Sequence, residues 1–347
     1  MSKAFLTVGL SLCLTGTVFA QADRGPVNQQ RPGRDTVLAT VAPGTNMVSI
    51  KVEGTNRVIR SNGWPDHTPG QFPNRGNPNT LRPQSYSFKV PANPKAAGNL
   101  SPNHGAFFGV ALNGVPFEPG TGEFWNGDRR WNYEAMSGKI NLGIDQHNAH
   151  VQPTGAYHYH GLPMGLINKL GGATNKMTLV GYAADGFPIY TNLGHTDAMD
   201  TNSAIKKVKS SWRVKQGTRP TDSPGGKYDG TFTVDYEFVR GGGDLDESNG
   251  RFGKTPEYPE GIYHYYITEE FPQLGRYWRG TPDAGFRKGP PGGGPGGGKG
   301  PGGQGGPGGR GPGGPGGQGG PGFGPPGGGP GGGRPPGGGP PDGQRPF

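Results

Sequence analysis

Four of the eight histidines in the chain fall within one short stretch: His147, His150, His158 and His160. An imidazole can hold a metal through one ring nitrogen or move a proton near neutral pH, so this density marks where chemistry is expected. His158 and His160 are two residues apart. On a strand, residues i and i+2 share a face, so these two imidazoles point one way and Tyr157 and Tyr159 point the other. A His-x-His strand offers two ligands to one ion and leaves a third to come from elsewhere. His150 precedes the Pro153–Gly155 turn and is expected to fold back onto the same face. His264, in a second Tyr-His-Tyr segment, is the expected distal ligand. His147 and Asp145 are weaker members of the set. Asp145 and Asp185 are placed to complete a shell or orient an imidazole N–H, and Asp185 is the one weak candidate for a catalytic proton acceptor. His67, His104 and His195 read as solvated loop residues without a role. The tyrosines read as core-facing aromatics with hydroxyls at the edge.

Imidazole donors without thiolate suit a divalent transition metal such as Zn, Cu(II) or Fe. The single cysteine, Cys13, lies in the N-terminal leader, so disulfides, thiolate catalysis and cysteine-bound zinc are excluded. The methionines are few and unclustered, which argues against Cu(I) handling. No Gly-x-Ser-x-Gly elbow supports a serine nucleophile. Three readings follow: a metal-binding protein, a metal-dependent hydrolase or oxidase on the same site, and a non-catalytic surface or carbohydrate-binding module. The last would use Trp125, Trp131, Trp212 and Trp278 as stacking platforms. The residues alone leave open whether the chain is an enzyme.

The elements that must position these residues are short. Alternating runs bounded by Gly, Pro, Asn and Asp recur at Met47–Val52, Tyr86–Val90, Phe107–Leu112, Thr178–Tyr182, Trp212–Lys215, Thr231–Phe238 and Ile262–Ile267. They predict an all-β protein, sandwich-like or built of paired sheets. A short helix is expected near Met164–Leu170, and Pro65–Pro83 reads as irregular. Two internal echoes stand out. Gly109-Val-Ala111-Leu-Asn113-Gly114-Val-Pro116-Phe117 matches Gly181-Tyr-Ala183-Ala-Asp185-Gly186-Phe-Pro188-Ile189, and the Asn-Gly and Asp-Gly pairs are hairpin signals. Pro153-Thr-Gly155-Ala-Tyr157-His158-Tyr159 matches Pro259-Glu-Gly261-Ile-Tyr263-His264-Tyr265. The shared order predicts two related lobes from a tandem duplication, with equivalent Tyr-His-Tyr strands facing one pocket.

The chain has 347 residues, including 72 Gly and 38 Pro. From Gly289 to Phe347, 33 Gly and 16 Pro leave almost no apolar side chains, so a disordered Gly/Pro-rich tail is expected, one that contacts the cell surface or tethers to it. Gly recurs every third residue from Gly302 to Gly320, but Phe323 breaks the collagen-like register. At the other end, Lys3, the apolar run Ala4–Val18 and Val18-Phe19-Ala20 read as a signal peptide cleaved after Ala20. Leu12 before Cys13 argues against lipidation. The expected address is periplasmic or secreted. No second apolar stretch is long enough to span a bilayer as a helix. The expected organisation is a signal peptide over 1–20, an N-terminal extension with the first strands over 21–84, a β domain over 85–285 with lobes 85–172 and 173–285, and the tail over 286–347.

The net charge is +9. Removing leader and tail leaves about +5 on the core. The one dense stretch, Lys206, Lys207, Lys209, Arg213, Lys215 and Arg219, reads as a solvated strand face rather than an anion-binding surface, and with export no nucleic-acid partner is expected.

Asp145-Gln-His147-Asn148-Ala-His150-Val-Gln-Pro153-Thr-Gly155-Ala-Tyr157-His158-Tyr159-His160-Gly161 resembles the signature of the YHYH domain family. Gly181–Tyr190 and Thr255–Tyr266 resemble its later blocks. The likeness covers about residues 85–280 and leaves the Gly/Pro tail outside. It implies an exported bacterial protein and supplies no particular reaction.

Overall fold

Gly, Pro, Asn and Asp interrupt the sequence every few residues, and the backbone turns at those points. The computed structural model describes residues 44–288 except 173 and 174. The leader and nearly all of the tail therefore lie outside the described residues. In chain order the strands are β1 (Val48–Glu53), β2 (Asn56–Ser61), β3 (Tyr86–Pro91), β4 (Ser101–Pro102), β5 (Gly109–Ala111), β6 (Pro116–Phe117), β7 (Ala149–Val151), β8 (Tyr157–Tyr159), β9 (Leu179–Ala183), β10 (Pro188–Tyr190), β11 (Leu193–His195), β12 (Ile205–Lys207), β13 (Trp212–Val214), β14 (Tyr236–Phe238), β15 (Gly250–Thr255), β16 (Tyr258–Tyr266) and β17 (Tyr277–Trp278). The helix α1 spans Met164–Lys169. The all-β expectation is met.

β1, β2 and β3 form an antiparallel sheet. In β3, Tyr86, Phe88 and Val90 are buried while Ser87 and Lys89 are exposed, so this sheet lays one face on the core. The principal sheet has eight strands in the order β15-β16-β10-β9-β5-β6-β8-β7. That order is palindromic about the β5–β9 seam, where Gly109 pairs with Ala183 and Ala111 with Gly181. On one side, β5 and β6 form a hairpin with Gly109 opposite Phe117, and β6 then runs parallel to β8 with Phe117 opposite Tyr159. On the other, β9 and β10 place Gly181 opposite Ile189, and β10 runs parallel to β16 with Ile189 opposite Tyr265. The outer strands repeat too. β7 sets His150 against His158, and β15 sets Arg251 against His264.

The duplication read from the echoes is thus a pseudo-twofold repeat in one sheet. Its details repeat down to single hydrogen bonds. Tyr157 donates to Asp145 at 2.6 Å, and Tyr263 donates to Asp246 at 2.9 Å. Asn148 and Asn249 both adopt left-handed backbone, at φ 58° and 62°. Asn113 donates to the Tyr159 hydroxyl at 2.9 Å, and the Tyr265 hydroxyl donates to Asp185 at 2.5 Å. The expectation of one shared pocket is not met. Antiparallel pairing of equivalent inner strands puts equivalent outer strands at opposite ends, so four strands separate β8 from β16.

The main core cluster draws on both lobes and on β3, with Phe88, Phe108, Val110, Phe117, Tyr159, Ile189 and Tyr265 all at or below 1 % exposure. Phe286 is buried in the same cluster and Lys288 pairs with Glu118, so residues 286–288 belong to the folded body rather than the tail. Thr231–Phe238, expected as one strand, opens with a 3-10 turn at Thr233–Asp235, where the Asp235 carboxylate accepts the Phe232 N–H at 3.2 Å. Only Tyr236–Phe238 pairs as a strand.

Candidate metal centre

β8 and β7 bring three histidines together. Alternation on β8 turns His158 and His160 to one side, and antiparallel pairing sets His150 directly opposite His158. The turn between Asp145 and Ala149 fixes this register. The Asp145 carboxylate accepts the backbone N–H of His147 at 2.9 Å and of Ala149 at 3.2 Å. The His160 N–H donates to the Asn148 carbonyl at 2.7 Å, extending the pairing one residue beyond the strand.

His160 Nε2 lies 3.0 Å from His158 Nε2 and 3.1 Å from His150 Nε2. The three form a group close enough to share one ion. His158 and His160 are buried, and His150 is half-buried. His150 Nδ1 lies 2.8 Å from the Leu142 carbonyl and His158 Nδ1 3.3 Å from that of Ala156. A carbonyl only accepts, so these Nδ1 atoms carry the hydrogens and both Nε2 atoms present bare lone pairs. His160 Nδ1 is buried with no partner. Neutral His160 has one ring hydrogen. On Nε2 it faces two lone pairs at once and leaves Nδ1 empty; on Nδ1 it has no acceptor and three lone pairs converge. Burial drives the His158 and His160 titrations well below the ordinary imidazole range, and the His150 ring beside them acts in the same direction. Burial also lowers His150. At neutral pH the three rings are uncharged.

Glu118 borders the trio. It follows β6, and its N–H donates to the Tyr159 carbonyl at 2.9 Å, which brings it alongside β8. Its Oε2 lies 3.6 Å from His158 Nε2 and accepts from Gln152 at 2.5 Å. Its Oε1 pairs with the Lys288 ammonium. Burial raises the Glu118 titration, and Lys288 opposes that rise. Sequence reasoning did not single out Glu118. The one available signal was its place directly after the first hairpin echo, where the second echo has Tyr190, but the parallel β6–β8 pairing that carries it to the histidines has no local signature.

The other expected residues lie elsewhere. Asp145 is a turn former: its Oδ2 takes the Tyr157 hydroxyl at 2.6 Å and the Gly70 N–H at 2.9 Å, with β8 between it and the trio. His147 packs against His67 at 4.1 Å between ring centroids, on that same tyrosine side. His67, read from sequence as a solvated loop residue, is half-buried, with Nε2 2.7 Å from the Tyr159 hydroxyl. His264 is not brought to the trio. Its Nε2 receives the Tyr266 hydroxyl at 2.8 Å, its Nδ1 lies 3.0 Å from the Ile262 carbonyl, and burial holds it at about 4. Asp185 is not brought there either. Its carboxylate accepts from Tyr265, from the Gly280 N–H at 2.8 Å and from the Phe187 N–H at 3.3 Å, and burial pushes it up to about 6.

No curated protein and no solved structure matches the chain. The profile of the family described as YHYH protein matches residues 87–280, which contain β5 to β10, the three converging histidines and the second Tyr-His-Tyr strand. With more than half of its length matched, the chain belongs to the YHYH protein family.

Proposed function

We propose that this is an exported protein that holds one divalent transition-metal ion, Zn, Cu(II) or Fe, on His150, His158 and His160. The observation that carries the reading is the lone-pair imbalance: two Nε2 atoms without hydrogens flank a third at 3.0 and 3.1 Å, in a buried site with at most one hydrogen to share. A cation among them satisfies all three. Export rests on the leader read at Lys3–Ala20. Among the described residues no helix is long and apolar enough to cross a membrane.

Elemental analysis of the mature, untagged protein tests the reading beside a His158→Ala/His160→Ala variant. Near-stoichiometric metal in the natural protein and none in the folded variant is the expected result. Absence of metal from both after exposure to Zn and Cu(II) overturns it.

A second reading, a metal-dependent hydrolase or oxidase, draws on Glu118. A buried carboxylate with a raised titration beside the centre is suited to accept a proton there. The metal-loaded protein, screened for ester hydrolysis and for oxidation of small phenols, tests it; turnover no higher than that of the metal-free variant removes it. The aromatic-platform reading has less support. Trp131 and Trp278 are buried, and the Trp212 indole N–H is spent on the Glu247 carbonyl at 3.1 Å.

A further inference from the structure

The pseudo-twofold repeat gives each member of the histidine trio a counterpart in the second lobe. His158 corresponds to His264, opposite β15 as His158 is opposite β7. Its strand neighbour two residues on, His160, corresponds to Tyr266. The residue across the pair, His150, corresponds to Arg251. The contacts correspond as well. His264 Nδ1 lies 3.0 Å from the carbonyl two residues back, as His158 Nδ1 does at 3.3 Å. The Tyr266 hydroxyl lies 2.8 Å from His264 Nε2, where His160 Nε2 lies 3.0 Å from His158 Nε2. Arg251 Nη2 lies 3.2 Å from the Tyr266 hydroxyl, where His150 Nε2 lies 3.1 Å from His160 Nε2.

The two cradles share geometry and differ in hydrogen count. In the second lobe the chain of donors closes: Arg251 Nη2 donates to the Tyr266 hydroxyl, and that hydroxyl donates to His264 Nε2. Arg251 Nη2 also donates to the His195 carbonyl at 2.6 Å, which anchors the guanidinium in place. In the first lobe three ring nitrogens face each other with one hydrogen at most. One cradle therefore calls for a cation and the other supplies its own. A guanidinium stays charged in proteins, so it is a permanent occupant.

We infer that the second lobe contains a self-occupied copy of the metal cradle, in which the Arg251 guanidinium, at the place of the His150 ring, supplies the positive charge that the first lobe takes from its ion, so that the two cradles together bind one metal ion and not two. The inference rests on the reading of the histidine trio as a metal centre. It also makes the second cradle a latent metal site, two substitutions from a second trio.

The test exchanges ligand sets between lobes and titrates with Zn. The Arg251→His/Tyr266→His variant is expected to bind one equivalent more than the natural protein. The reverse exchange, His150→Arg/His160→Tyr, is expected to lose the ion while keeping a thermal midpoint within a few degrees of the metal-free natural protein. A folded forward variant with unchanged stoichiometry overturns the inference. If the forward variant does not fold, the reverse exchange decides: a variant that unfolds or still binds Zn overturns it. A natural protein that takes up no Zn, with a forward variant that takes up one equivalent, would remove the first-lobe metal reading and leave the equivalence of the cradles standing.

Discussion

His264 separates a ligand from a structural residue most cleanly. It is 1 % exposed, both ring nitrogens are engaged, and burial lowers its titration from 6.5 to about 4. Between those values the unfolded chain takes up a proton that the native state refuses. The contribution of His264 to stability is therefore complete above pH 6.5 and is lost as pH falls toward about 4. A shift of that size corresponds to about 3 kcal/mol. Asp185 acts in the opposite sense. Burial raises it from 3.8 to about 6, so its contribution declines as pH rises through that window. Comparing the natural protein with His264→Gln cancels the Asp185 effect, which both share. The expected outcome is that the loss of unfolding free energy from neutral pH to about pH 4 is smaller in His264→Gln by about 3 kcal/mol, measured by urea unfolding of metal-free protein. Equal losses in the two proteins would mean that the His264 ring is not held neutral by its surroundings.

At the scale of elements, the hairpins carry the repeat, and their turns are the most demanding positions. Gly186 has φ 91°, and a Cβ there would land on the Pro91 carbonyl oxygen at the end of β3. Gly241 has a similar φ of 75° with nothing within 4 Å. Gly186→Ala is expected to cost clearly more than the ~1 kcal/mol of left-handed strain alone, and Gly241→Ala about that amount, both read from urea midpoints. Equal costs would mean that the Pro91 contact is not made in solution. The Asn-Gly and Asp-Gly signals made these hairpins legible in the sequence, as alternation did for β3 and β9. β2 and β15 were not legible, because NRVIRS and GRFGKT mix charged residues and glycine with few apolar side chains. The site was legible where its geometry is local: His158 and His160 by alternation, His150 by a single turn. It was illegible where sheet order decides. Glu118 reaches the trio through a parallel pairing, and His67 reaches Tyr159 across 92 residues. His264 was read as equivalent to His158, correctly, and as its neighbour, wrongly, because equivalence in a palindromic sheet means separation.

At the scale of the molecule, the surface charge is internally paired and the core argues for one cooperative body. Of the six cations in the stretch from Lys206 to Arg219, four are paired with carboxylates: Lys206 with Asp244 at 2.6 Å, Lys207 with Glu269 at 2.6 Å, Arg213 with Glu237 at 3.0 Å, and Arg219 with Asp235 at 2.6 Å. Exposed pairs add little stability singly, but they remove the row of free cations that an anionic polymer would need. The lobes are also not independent. At the seam the Leu112 N–H donates to the Val180 carbonyl at 2.8 Å, and by the pseudo-twofold the Ala184 N–H donates to the Phe108 carbonyl at 2.9 Å. Separating the lobes would expose both inner edges, along with core faces that Phe108, Val110 and Ile189 now share. Trp278 ties them further, its indole N–H donating at 2.9 Å to the carbonyl of Phe108, 170 residues earlier in the chain. The expected result is a single urea transition, coincident by tryptophan fluorescence and far-ultraviolet circular dichroism. Segments 44–172 and 175–288 expressed apart should not melt cooperatively, yet should do so when expressed together. A cooperative transition in either segment alone would mean that the repeat still folds as two domains and that the seam forms only after each is complete.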